Sequence, residues 1–156
     1  MRLAMEQPVN FTLRLRIPGW SDGVSFKVNG SAVSVTQQPG AWASIRRDWH
    51  AGDRIDMTIP LRFRRQPIDR QHPDRVAIVR GPVVYAQQVV HKHLVSIPKD
   101  DESLNKWMVP GKDPVIFQYA GQEQSSQRDD FMPYYRFGEM ESYRMYFDPG
   151  LRNTLW

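Results

Sequence analysis

The sequence contains no cysteine. No disulfide, thiolate metal site or cysteine nucleophile can therefore form within its 156 residues. No apolar run approaches the roughly 20 residues that span a bilayer, so we expect no membrane segment. The N-terminal stretch MRLAMEQPVN has no apolar core like that of a signal peptide, which predicts a cytoplasmic location for the chain as given. The location of a longer parent protein stays open.

Several catalytic motifs are also missing: a Gly-rich phosphate loop, an H-E-x-x-H pair and a Ser/His/Asp order. No segment carries a helical pattern over more than two turns. The composition is ordinary for a soluble globular protein, with 40% hydrophobic and 24% charged residues. Twelve prolines and ten glycines favour many turns and count against a helix bundle.

What the sequence does have is alternation with a period of two. In FTLRLRI, residues 11–17, apolar side chains alternate with threonine and arginine, which is typical of a half-buried antiparallel strand. Asn29-Gly30 predicts a tight hairpin between two further strands. Residues 42–59 have the form of a second hairpin, with Trp49 just before its turn. The pattern predicts an all-β, antiparallel and jelly-roll-like β-sandwich.

We expect a single sandwich domain over residues 9–147, preceded by an extension (1–8) and followed by a tail (148–156). In its second half, residues 115–120 and 143–147 are predicted strands. Residues 99–113 are polar and bounded by prolines, which predicts a loop. Residues 121–131 have no apolar face, which predicts a long connection or a locally disordered segment.

The stretch VAIVRGPVVYA, residues 76–86, places Arg80, Gly81 and Pro82 between two apolar runs. Gly81-Pro82 is interpreted as a corner where one strand crosses from one sheet of the sandwich to the other. Arg80 would then reach a carboxylate or carbonyl groups at the sandwich edge, or across an interface with another domain.

The net charge of +4 comes largely from arginines close together in residues 62–75. A basic stripe can bind nucleic acid. This one has acids nearby at Asp69 and Asp74 and no interleaved aromatics, so we expect a solvated loop, no nucleic-acid partner and no membrane partner.

Candidate catalytic and metal-binding groups are few. Glu139 and Glu141 would share a face if their segment were a strand, but exposed carboxylates on a strand are the usual case. His91 and His93 have a spacing compatible with a metal site, yet no third ligand is apparent nearby. We therefore predict no catalytic residue, no metal and no cofactor.

The aromatic residues allow two interpretations. The candidates for stacking on sugars or for contacting another domain are Trp20, Trp107, Tyr134 and Tyr135. For Trp42 and Trp49 we expect packing inside the sandwich.

Four stretches together resemble a known family. They are LRLRIPGWSDGVSFKVNG (13–30), IRRDWHAGDRIDMTIPL (45–61), VAIVRGPVVYA (76–86) and PYYRFGEMESYRMYF (133–147). In this order they resemble the β-sandwich region C-terminal to the catalytic barrel of glycoside hydrolase family 127, the β-L-arabinofuranosidase-like proteins, formerly a domain of unknown function. The resemblance implies a structural role for signature residues: Trp49, Gly52, Asp53, Arg80, Gly81 and Pro82.

The same resemblance implies that the chemistry lies elsewhere. In that family a helical (α/α)6 barrel carries a glutamate acid/base and a cysteine nucleophile at a zinc site, and none of these positions has a counterpart here. The chain thus resembles a non-catalytic accessory module that supports a barrel encoded in cis or by a neighbouring reading frame. The alternative is a stand-alone carbohydrate-binding module. Apolar surface left uncovered by an absent barrel could also drive self-association.

Overall fold

A computed structural model describes residues 1–89, 95–120 and 130–148. The chain is mostly β-strand, and the predicted all-β, antiparallel sandwich fold is confirmed. It divides into two compact units, Met1–Leu61 and Arg62–Trp156. These are called unit 1 and unit 2 below, and each has its own core. The assignment of a single domain to residues 9–147, with an extension and a tail, stays a prediction.

Unit 1 is a small sandwich of two sheets. Its strands are β1 (Val9–Arg16), β2 (Ser25–Val28), β3 (Ser31–Ala32), β4 (Trp42–Trp49) and β5 (Ile55–Thr58). One sheet is the antiparallel pair β1-β4, and the other has the order β3-β2-β5. The buried side chains come from both sheets and the segments beside them: Ile17, Val24, Phe26, Val28, Ala43, Ile45, Trp49 and Ile55. The alternating pattern thus places one face of each sheet in a shared core.

The hairpin at Asn29-Gly30 is confirmed. Strands β2 and β3 pair antiparallel on either side of it. Asn29 has a φ of 51° and Gly30 a φ of 83°. Positive φ at both central residues is what a type I′ turn requires, and Asn-Gly is the pair that adopts it most readily.

The second predicted hairpin is wrong. Strands β4 and β5 follow each other through a turn in which Gly52 has a φ of 87°. However, β4 pairs with β1, whereas β5 pairs with β2 in the other sheet. The turn therefore carries the chain between sheets, because alternation fixes which face of a strand is buried but not which strand lies beside it.

Unit 2 is built on a larger sheet. Its strands are β6 (Phe63–Pro67), β7 (Val76–Arg80), β8 (Val83–Gln88), β9 (Met108–Pro110), β10 (Phe117–Tyr119), β11 (Phe131–Pro133), β12 (Tyr143–Arg144) and β13 (Tyr146–Phe147). Within the described residues the order is β13-β7-β8-β11-β10-β9, with β6 paired to β7 and β12 to β8. The strands expected within residues 115–120 and 143–147 are thus present. The connection predicted for residues 121–131 lies mostly outside the described residues.

Gly81-Pro82 forms a hairpin turn, so its interpretation as a corner between sheets is wrong. Strands β7 and β8 pair with each other, Arg80 opposite Val83 and Ile78 opposite Tyr85. Gly81 has a φ of 59°. Glycine with positive φ at the first central position is characteristic of a type II′ hairpin, and proline supplies the negative φ of the second position.

Residues 99–113 are not a loop, since they contain helix α1 (Asp101–Trp107) and strand β9. Asp100 caps the helix by accepting a hydrogen bond from the backbone N–H of Ser103 at 2.7 Å. Acidic residues in the first turn and Lys106 in the last turn suit the helix dipole. The helix is too short for a period of 3.6 to be visible, and its only fully buried residue is Leu104.

Candidate functional site

The most distinctive surface feature of unit 2 is a cleft of about 330 Å³. We call it the tyrosine cleft. It is lined by Tyr134, Tyr135, Phe137, Gly138, Glu139, Glu141 and Tyr143. A short 3₁₀ helix, Tyr134–Arg136, follows β11 directly and presents the first two tyrosines. Because the chain returns along β8 through β12, Tyr143 comes back beside them.

The rings of the tyrosine cleft are held by one another. The Tyr134 and Tyr143 centroids lie 5.7 Å apart at 73°, and those of Phe137 and Tyr143 lie 5.0 Å apart at 44°. Tyr135 is the most open ring, with 69% of its surface exposed. Aromatic faces that are fixed yet accessible can stack on the apolar face of a planar or ring-shaped ligand.

The cleft also holds the carboxylates of Glu139 and Glu141. Their segment is not a strand, so the condition under which they would share a strand face is not met. Glu139 and Glu141 lie in a turn between the 3₁₀ helix and β12. Glu141 accepts a hydrogen bond from the backbone N–H of Gly138 at 2.7 Å, which closes this turn. Glu139 makes no hydrogen bond with any described residue, so it can accept bonds from a ligand.

The electrostatics of the cleft favour a neutral Tyr143. Three effects raise the pKa of the Tyr143 phenol: the charge of the neighbouring Tyr134 first, then desolvation, and then a hydrogen bond with Tyr134. Tyr143 thus stays protonated at neutral pH and keeps its donor. The 3₁₀ helix itself is anchored by an ion pair of 2.6 Å between Arg136 and Asp113. The pKa of Asp113 is lowered by its bond from the Val115 backbone and by Arg136.

The four predicted stacking or contact residues are divided by the structure. Tyr134 and Tyr135 come together in the tyrosine cleft. Trp107 stacks on Tyr119 at 5.0 Å and 18° and meets Phe131 edge-on, so its ring packs against the core of unit 2. Trp20 is half-buried in the turn after β1, in unit 1. The sequence did not single out Phe137 and Tyr143 as partners, although the density of aromatics in residues 134–147 was a signal.

The signature residues of unit 1 form a hydrogen-bonded junction between two turns. Asp53 is buried and accepts bonds from the Asn29 amide at 2.8 Å and from the His50 backbone N–H at 2.9 Å. These bonds, that from Asn29 first, lower the pKa of Asp53. Trp49 is fully buried and donates its indole N–H to the Phe11 carbonyl at 3.1 Å. Trp42, in contrast, is 56% exposed, so the expectation that it packs inside is wrong.

Among the described residues, Arg80 has no carboxylate partner at an edge. Its guanidinium carbon lies 5.0 Å from the Phe117 ring centroid and 5.6 Å from that of Phe63, both core residues of unit 2. Burial raises the pKa of the nearby Tyr85, an effect that a hydrogen bond with Arg80 partly opposes. The position is that of a cation stacked on buried aromatic rings.

The arginine-rich segment is partly neutralised, though not by the acids that its sequence suggested. Arg65 pairs with Asp101 at 3.1 Å, and Arg75 pairs with Asp148 at 3.0 Å. Asp69 instead pairs with His72 at 3.0 Å. These pairs favour the interpretation as a solvated surface over that as a polyanion-binding stripe.

The described residues include no group of three or more His, Asp or Glu side chains that could hold a metal ion. His91 and His93 lie outside the described residues. No helix in the described ranges combines the length and apolar character that crossing a bilayer requires.

Comparison with known proteins gives a family match for unit 1. Residues 1–61 match the family model of the "Beta-L-arabinofuranosidase, GH127 middle domain". No curated protein sequence matches the chain. The similarity supports a glycoside hydrolase-related module. The matched model describes a middle domain, so the C-terminal placement inferred from the resemblance stays a prediction.

Solved structures extend the likeness of fold to nearly the whole chain. A GH127 β-L-arabinofuranosidase from Geobacillus stearothermophilus T6 superposes with a TM-score of 0.67 at 22% identity, over 94% of this chain and 27% of that one. A second structure, titled a glycoside hydrolase, gives 0.66 at 19% identity over 90% and 28%. A GH127 β-arabinofuranosidase gives 0.58 at 22% over 95% and 29%. The chain thus spans less than a third of the length of these proteins.

Proposed function

We propose that the chain is a non-catalytic accessory β-sandwich module of a β-L-arabinofuranosidase-like glycoside hydrolase. Its role is to pack on and support a helical-barrel catalytic domain that lies outside this sequence. One observation carries the proposal: the chain matches 27–29% of the length of similar enzymes while 90–95% of its own length is matched. The lack of cysteine supports it, since the resembled family uses a cysteine nucleophile.

The test is hydrolysis. The purified chain is incubated with an aryl β-L-arabinofuranoside, with a GH127 β-L-arabinofuranosidase as the positive control and buffer as the blank. We expect no release of the aryl group above the blank. Turnover by the chain alone that persists after repeated purification contradicts the proposal.

A second function is favoured by the tyrosine cleft, namely binding of a carbohydrate. A sugar ring has an apolar face that stacks on an aromatic ring and hydroxyl groups around its rim. The open ring of Tyr135 meets the first requirement, and the phenol of Tyr143 and the carboxylate of Glu139 meet the second.

Affinity electrophoresis in gels containing arabinan or arabinogalactan tests this second function. We expect retardation of the chain and its loss in Tyr135→Ala. The matched control is Tyr146→Ala, because Tyr146 is also exposed, at 45%, but does not line the cleft. Equal retardation of both variants, or none of the unchanged chain on either glycan, contradicts binding at the cleft.

A further inference from the structure

One face of unit 1 carries arginines and a tryptophan in a fixed arrangement. In the β1-β4 sheet, Arg16 lies opposite Trp42, Arg14 opposite Ser44 and Thr12 opposite Arg46. These six residues are exposed, and they alternate with the core-facing residues of the same strands. They form the outer face of this sheet, which we call the arginine face.

The spacing of the arginine face suits an extended ligand. Side chains directly opposite each other on antiparallel strands have Cβ atoms about 4.5–5.5 Å apart, which sets Arg16 beside Trp42. Arg46 lies four residues further along β4, roughly 13 Å from Trp42. Because β1 and β4 pair along their whole length, backbone hydrogen bonds fix the order and the spacing of these side chains.

The charge on this face is not neutralised. Among the described residues neither Arg14 nor Arg16 makes an ion pair or a side-chain hydrogen bond. The Nε of Arg46 donates only a long hydrogen bond of 3.4 Å, to the side-chain amide oxygen Oδ1 of Asn10. The amide nitrogen of Asn10 in turn donates to Asp48 at 2.7 Å. Like charges on one sheet face oppose folding, so three guanidinium groups without counter-ions favour an anionic ligand.

The residue types narrow the class of ligand. A guanidinium group matches a carboxylate with two parallel hydrogen bonds, and a tryptophan offers a broad surface for an apolar ring face. Single-stranded nucleic acid is bound by several aromatics that stack successive bases. This face has one aromatic, Trp42 at one end, so it lacks the series of rings that stacks successive bases. The carboxylate of Asp48 lies beyond Arg46 on β4 and marks the end of the site, because it repels any anionic group.

We propose that the arginine face binds an acidic polysaccharide of uronate type. The carboxylates pair with Arg14, Arg16 and Arg46, while one sugar ring stacks on Trp42. The arginine face shares no residue with the tyrosine cleft, and its binding of a polysaccharide does not depend on the proposed accessory role.

Affinity electrophoresis in gels containing polygalacturonate tests the proposal. Gels with the same polymer after methyl esterification, and with single-stranded DNA of matched charge, are run in parallel. We expect polygalacturonate to retard the chain and the methyl ester not to. In both Trp42→Ala and Arg16→Gln the apparent affinity for polygalacturonate should fall by a factor of about ten or more. Thermal unfolding checks that these variants fold.

Two control variants separate the outcomes. Lys27→Gln removes one exposed positive charge from β2, outside the arginine face. Tyr135→Ala alters only the tyrosine cleft. Both variants should bind polygalacturonate like the unchanged chain. The proposal is overturned by absence of retardation, by retardation on DNA as strong as on polygalacturonate, or by an equal loss in Lys27→Gln and Arg16→Gln.

Discussion

Units 1 and 2 bury different kinds of core. Unit 1 packs mainly aliphatic side chains between two small sheets, with Trp49 and Phe26 as its buried rings. Unit 2 packs rings against rings: Phe63 meets Phe117 at 4.8 Å and 83°, and Phe131 lies among several others. The difference teaches that the same period-two pattern is compatible with a mainly aliphatic core in one unit and an aromatic core in the other.

The largest effect should come from breaking the ring cluster of unit 2. Phe131→Ala removes a fully buried ring that contacts Trp107, Tyr119 and Phe147, and should lower the free energy of unfolding by about 3–5 kcal/mol. Urea unfolding measures the loss, and hydrogen exchange of peptides shows whether it falls on unit 2. Phe131→Leu keeps most of the volume and should lose less than about 1.5 kcal/mol. A loss in Phe131→Leu as large as that in Phe131→Ala would contradict this expectation, because it would mean that the ring contacts rather than the buried volume carry the stabilisation.

A second test compares two tryptophans of unit 1. Trp49→Phe leaves a void and removes the bond to the Phe11 carbonyl, which should cost about 2 kcal/mol. Trp42→Phe changes an exposed ring and should alter stability by less than about 0.5 kcal/mol. Both are measured as urea midpoints under identical conditions. A larger loss in Trp42→Phe would reverse the assignment of buried and exposed faces in β4.

The third test should raise stability. Gln87 in β8 is fully buried, and neither atom of its side-chain amide has a hydrogen-bond partner among the described residues. Gln87→Met keeps the length of the side chain and removes the unpaired polar group, which should stabilise unit 2 by about 1–2 kcal/mol. Thermal unfolding measures the change, with the exposed Gln66→Met as the control. A fall in stability would mean that the amide has a partner in the folded protein.

The smallest effect concerns acid stability of unit 1. The folded pKa of Asp53 is lowered, so its contribution is complete above the ordinary value of 3.8 and is lost as the pH falls below it. Asp53→Asn should therefore weaken the dependence of the urea midpoint on pH between about pH 6 and about pH 3. Asp22→Asn, an exposed carboxylate in another turn, is the charge-matched control. An identical slope in Asp53→Asn and the unchanged chain would contradict this role of the turn junction.

Sequence reasoning succeeded where the interaction is local. The turn at Asn29-Gly30 was predictable because two adjacent residues supply both positive φ angles. It failed for β4 and β5, because β4 pairs with β1 and β5 pairs with β2, strands that lie many residues earlier in the chain. Asp100 is a local capping signal for helix α1, but a cap alone does not predict a helix. The helix was missed because the apolar contact of Leu104 is tertiary and leaves no pattern in the sequence.

The candidate site was predicted in part. Tyr134 and Tyr135 were singled out as exposed aromatics, but their grouping with Phe137 and Tyr143 depends on a turn that brings β12 back to β8. Trp107 could not be distinguished from them by sequence, since its stacking on Tyr119 requires β10 to lie beside β9. The alternation of residues 11–17 already indicated that Arg14 and Arg16 share one face of a strand. It did not indicate that β4 would add Trp42 and Arg46 to the same face.

By itself the sequence determined the class of fold, the buried side of β1 and the absence of cysteine chemistry within the chain. Only the tertiary structure decided which strands pair, that Gly81-Pro82 turns within one sheet, and which aromatics share a cleft. The physical reason is that side-chain alternation is a property of one strand, whereas pairing depends on contacts between residues distant in the chain, such as Gln87 with Phe131.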